Sequence, residues 1–163
     1  MHLPPPVHGA AMVSRQIQQS ARINNSFRCQ YVNLSASRSA DEVTNYSPLM
    51  VTKKLFLFCC ALMKTLKHLL CFRPDTCYIT LTCHDIPFLK DAPFVLLCKL
   101  FGCKIIIHQH NKGMSACAEK FPYNFLLPLV YKNATVILLS ELLYNDISTV
   151  VQHNQVEICP NGI

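Results

Sequence analysis

The sequence predicts an α/β fold, an open parallel sheet with helices on both faces, and three observations carry that prediction. Short runs rich in β-branched residues alternate along the chain with longer apolar-polar runs of helical period. Each of the four glycines (Gly9, Gly102, Gly113, Gly162) falls at a junction between such runs. The apolar run Ile105–Ile107 breaks at once into His108, Gln109, His110, Asn111 and Lys112, and Gly113 closes the cluster. Open α/β sheets present ligand sites in this way, outside the carboxyl ends of their strands.

Leu3–Gly9 is stiffened by three prolines and released by Gly9, which lies at the start of a helix expected over Ala10–Asn25. Free amides and the helix dipole at such a start favour an anion. Phe27–Leu34 reads as a strand and Ser35–Ser47 as a polar loop. Pro48–Phe72 reads as one long helix with an apolar centre and lysines at 53, 54, 64 and 67. Its apolar run falls short of the roughly 20 residues that span a bilayer. The favoured reading is a core helix with a solvated basic face; the other is a helix lying on an anionic membrane surface.

Arg73-Pro74-Asp75 ends that helix, and Thr76–Thr82 is the next strand, followed by His84 and Asp85. Pro93 is expected to open a helix running to Phe101, with Gly102 as its cap. The central strand and its polar cluster follow. Phe121–Lys132 reads as a helix opened by Pro122 and kinked or shortened by Pro128. Ala134–Leu139 is a strand, Ser140 caps a helix over Glu141–Val150, and Val156–Cys159 is a last short strand.

With 163 residues, 51% hydrophobic and 15% charged, the chain suits one domain with a substantial core. A net charge of +6 suits anionic partners, while the absence of Trp and of aromatics interleaved with arginines argues against nucleic acid. Met1–Ala10 lacks the apolar core of a secretory signal, and the ten scattered cysteines contain no C-x-x-C pair. Free core thiols are therefore expected, and with them a cytoplasmic setting.

His108 and His110, one residue apart, would face the same way on extended backbone, with Gln109 opposite. That is half a metal site, which His84 or a cysteine would have to complete. The favoured reading is that one histidine packs in the sheet and the other faces the crevice. No G-x-S-x-G, G-x-G-x-x-G or P-loop pattern occurs, so these residues stop at a polar, histidine-bearing crevice.

Leu3–Ser14 (LPPPVHGAAMVS), Ile105–Gly113 (IIIHQHNKG), Ala134–Leu143 (ATVILLSELL) and Val156–Ile163 (VEICPNGI) occur in an order and spacing that carry the reading further. Together they resemble the amino-terminal domain of the family 4 glycosyltransferases, of GT-B architecture, especially bacterial enzymes of surface-polysaccharide assembly. The resemblance implies a Rossmann-like acceptor-side domain over residues 1–159, with 160–163 opening a linker to a donor-binding domain. It implies retaining transfer of a hexose-type sugar from a nucleotide-sugar to a glycan or lipid-linked acceptor, without cofactor or metal.

On that resemblance His110 lies close to the transferred sugar. Gly9 and Ala10 belong to the loop that approaches donor phosphates and acceptor, and Asn111, Lys112 and Gly113 continue the His110 loop. Ser140 opens the next βα turn, and Asn161 and Gly162 form the hinge. Family members also begin with a strand ahead of the proline-rich loop and continue into a second domain bearing paired acids. The expectation is therefore a truncated enzyme, inactive alone, and located in the cytoplasm or at the inner membrane face through residues 48–72. The alternative is a non-catalytic, membrane-peripheral or binding module derived from the same domain.

Overall fold

The computed structural model describes residues 1–5, 7, 9–35 and 47–160. The expected loop over Ser35–Ser47, apart from its two ends, and the Asn161–Gly162 hinge lie outside these residues. The chain divides into two compact units, Met1–Arg73 and Pro74–Ile163.

The first unit is helical. In place of one helix over Ala10–Asn25 there are two, α1 (Gly9–Gln19) and α2 (Ala21–Ser26). Ser20 divides them: its backbone is extended, and its hydroxyl accepts the amide of Ile23 at 3.3 Å. A serine that can satisfy a free amide this way competes with helix continuation. The strand expected over Phe27–Leu34 does not form, and the segment joins no sheet. Its backbone is instead tied to the amino terminus, where the Met1 ammonium donates to the Val32 carbonyl at 3.1 Å and Leu34 N donates to the Met1 carbonyl at 3.0 Å. The long helix α3 (Pro48–Cys71) forms within a residue of its expected limits, with proline in its first turn. Within it only Leu69 is buried, so a core helix is not what the structure contains.

The second unit is α/β. Strands β1 (Thr76–Leu81), β2 (Lys104–Gln109), β3 (Ala134–Leu138) and β4 (Val156–Ile158) form one parallel sheet in the order β1-β2-β3-β4. Helix α4 (Asp85–Leu100) links the first pair, α5 (Tyr123–Tyr131) the second, and a 3₁₀ turn with the short α6 (Tyr144–Ile147) lies between β3 and β4.

Helix α4 starts eight residues before the expected Pro93, which sits inside it. An internal proline removes one backbone hydrogen bond, at about 3 kcal/mol. Here Phe88, Ala92, Phe94, Val95 and Cys98, all buried, hold the helix to the sheet on both sides of it. Its end is stopped by Gly102, whose φ of +78° is a left-handed cap. Pro128 likewise lies inside α5, and Lys99 of α4 closes that helix by donating to the carbonyls of Leu129 and Lys132, at 2.7 and 2.6 Å. The helix expected over Glu141–Val150 is broken into the 3₁₀ turn and α6, with the Ser140 hydroxyl accepting Leu142 N as predicted.

Register places Ile79, Ile107 and Val136 in one row on one face of the sheet, with Leu81, Gln109 and Leu138 in the next row. All six are buried, and α5 covers this face through Tyr131, whose hydroxyl donates to Gln109 Oε1 at 3.0 Å. Tyr78, Thr80, Ile106, His108 and Ile137 alternate to the opposite face. Right-handed crossovers that all advance in one direction place their connections on a single face. Among the described residues, no helix is long and apolar enough to cross a membrane.

Candidate functional site

The sheet order brings the ends of β1 and β2 side by side, and with them His84 and the segment His110–Gly113. The polar cluster does not begin where the apolar run stops. Strand β2 continues through His108 and Gln109, both buried sheet residues, so the loop starts at His110.

His108 and Gln109 remain in the sheet because partners distant in sequence satisfy them. Tyr78 Oη lies 2.6 Å from His108 Nδ1. Burial raises the phenol's pKa, so the hydroxyl keeps its proton, and which partner donates follows the imidazole tautomer; the ring's other nitrogen is Nε2. That nitrogen is buried and has no hydrogen-bond partner among the described residues. Desolvation lowers the His108 pKa, which keeps the ring neutral. Gln109 turns the other way, accepting from Tyr131 and donating from Nε2 to the Asn111 carbonyl at 3.1 Å.

His110 stacks on His108, with ring centroids 4.1 Å apart and planes inclined by 31°. The two rings share a face, as period-2 alternation predicts. His108 is the packed histidine, held by a phenol, and His110 is half-buried at the strand end. The half metal site is not completed: no group of three or more His, Cys, Asp or Glu among the described residues is placed to hold a metal ion.

Beyond His110 the loop is pinned from below. The Asp146 carboxylate of α6 accepts the amides of Gly113, Met114 and Ser115 at 2.8, 3.0 and 3.3 Å, and the Ser115 hydroxyl at 2.7 Å. Desolvation acts to raise the Asp146 pKa, but these donors outweigh it and hold the carboxyl below its usual range. Three successive amides on one anion form a nest of the type that binds phosphate, here filled by the chain's own carboxylate. The Gly113 amide is thus committed, while the neighbouring Lys112 is exposed.

Gly113 has φ +128°, a region open to glycine, and the His84 ring packs directly against it. His84 in turn approaches the Asp85 carboxylate, Nδ1 to Oδ2 at 2.6 Å. The Cys83 thiol donates to the Asn111 carbonyl at 3.4 Å, a second tie between the ends of β1 and β2. All ten cysteines are free; Cys83, Cys98, Cys103 and Cys117 are buried, whereas Cys59, Cys60, Cys71 and Cys159 are exposed rather than core.

Ser140 follows β3 at the same end of the sheet, half-buried, with its oxygen engaged as a cap. Gly9 and Ala10 open α1 in the first unit, Gly9 exposed and at the helix start as predicted. Asp146 was missed by sequence reasoning. A carboxylate within YNDIS carries no mark of the amides 31 to 33 residues upstream that it gathers. Comparison of the chain with protein-family models, with curated proteins and with solved structures finds no match.

Proposed function

We propose that this chain is the acceptor-side domain of a retaining glycosyltransferase of the GT-B type, built on a Rossmann-like open parallel sheet. In this reading it acts on a hexose-type sugar carried by a nucleotide-sugar, and its acceptor is a glycan or a lipid-linked saccharide. The observation that carries the proposal is the His110–Gly113 loop. It stands at the carboxyl ends of adjacent parallel strands, pinned by Asp146, with a histidine, an amide and a lysine side chain in succession.

Those three side chains suit a saccharide next to a phosphate. Asn111 and a neutral His110 can bond sugar hydroxyls. Lys112, or His110 in its protonated form, can offset the charge that develops as a nucleoside diphosphate departs. Ser140 would contribute a hydroxyl, and Asn161 and Gly162 the hinge to a donor-binding domain. No step in this scheme draws on a metal or a cofactor.

The test has two parts. Titration of the chain with a panel of oligosaccharides and lipid-linked saccharides is expected to show binding, weakened about tenfold by Asn111→Ala through loss of a buried hydrogen bond. Addition of a donor-binding domain and a nucleotide-sugar panel is expected to give transfer that EDTA leaves unchanged and His110→Ala abolishes. Absence of binding to every saccharide, with the fold intact by circular dichroism, would overturn the proposal.

A further inference from the structure

Helix α3 is anomalous for a helix of a folded unit. It spans 24 residues, about 36 Å, with a single buried side chain. Leu49, Phe56, Met63 and Leu70 recur every seven residues, or roughly two turns, and so lie along one side with only a slow drift. They are 80%, 67%, 63% and 56% exposed. Scattered exposed leucines need no account, but a large apolar stripe four repeats long does.

Charge identifies the occupant. The helix holds four lysines and not one carboxylate. Lys53 and Lys67 each follow a stripe residue by four positions and precede the next by three, so they stand on the same side, and Lys64 adjoins Met63. All three are exposed. A second copy of this helix would bring lysines against lysines, parallel or antiparallel. An acidic lipid headgroup layer would meet both features at once, taking the apolar side chains below its surface while the lysine stems reach up to phosphate.

We infer that α3 is a membrane-surface anchor that lies flat on anionic bilayers, with Leu49, Phe56, Met63 and Leu70 inserted and Lys53, Lys64 and Lys67 on the headgroups. This inference does not rest on the sugar-transfer reading, and its test involves no saccharide.

The chain contains no Trp, so Met63→Trp supplies a single reporter on an exposed position. Its emission is expected to shift to the blue on addition of vesicles of phosphatidylglycerol and phosphatidylcholine, and to stay put with phosphatidylcholine alone. In co-sedimentation under reducing conditions, each Lys→Gln change at 53, 64 or 67 should weaken partition about fivefold. Phe56→Ser should weaken it about tenfold, and added salt should weaken it further. Leu49→Ser, in the first turn, repeats the test should Phe56→Ser disturb the helix. The inference is overturned by unmoved Trp emission, by equal partition to zwitterionic vesicles, or by variants that bind like the parent. A dimer in vesicle-free buffer that Phe56→Ser dissociates would also overturn it, by making a second copy the occupant.

Discussion

The imidazole of His84 stands against the α-carbon of Gly113, its Cδ2 2.9 Å from where a Cβ on that residue would lie. One residue follows β1 and the other closes the loop after β2, so this contact sets the spacing of two adjacent strand ends. Gly113→Ala should therefore be costly twice, once for a φ of +128° and once for the ring it displaces. We expect a loss of about 2–3 kcal/mol in urea unfolding. Adding His84→Ala should recover the steric part and leave the backbone part. Equal stability of the single and double variants would show that the ring does not constrain the loop.

Asp146 is the second support of that loop. Asp146→Ala strips a buried carboxylate from three amides and a hydroxyl, with an expected loss of about 3 kcal/mol. Asp146→Asn keeps an acceptor and should fall between. Because the folded pKa lies below the ordinary one, this group stabilises the fold above about pH 3.9, and the contribution fades as pH falls through the folded value. Acid unfolding of Asp146→Asn should lose that component. If it follows the parent curve over this range, the carboxylate is not the loop's anchor.

The Tyr78–His108 pair has a separate pH window. Burial favours the neutral imidazole, so the unfolded chain binds a proton first, at about pH 6.5. Stability is unaffected above that pH and declines as pH drops below it. Tyr78→Phe should cost about 1 kcal/mol at neutral pH by removing the hydroxyl bonded to His108. An NMR titration of the His108 ring is the direct check. A midpoint at or above the ordinary histidine value would refute the assignment of a buried neutral ring.

What could be read in the sequence was whatever local chemistry decides. The four strands of the second unit fall within one or two residues of their expected ends, because β-branched runs bounded by Gly, Pro and Asn admit few alternatives. Helix α3 was legible from its proline start and its apolar centre. Partners far along the chain were not. One histidine packed in the sheet was legible, but not that β2 runs on through Gln109, since polar residues seldom end a buried strand and it is Tyr78 and Tyr131 that satisfy His108 and Gln109 there. Pro93 read as a helix start because a proline inside a helix is usually excluded, and burial of Phe88 and Val95 on either side of it overrides that preference. The same limit hid Asp146, while the shared face of His108 and His110 was legible because alternation is a local rule.

The order β1-β2-β3-β4 has a consequence for how the second unit comes into being. Every strand pairs with the one made just before it, so no pairing waits for a distant segment. Each closure spans a single crossover, which keeps the entropic cost of the parallel sheet low for its class. During synthesis the β1–β2 ladder can close once Gln109 has emerged, and later strands add to one growing edge. The His84–Gly113 contact belongs to that first closure, so the proposed saccharide loop is positioned early, and Asp146 locks it when α6 arrives.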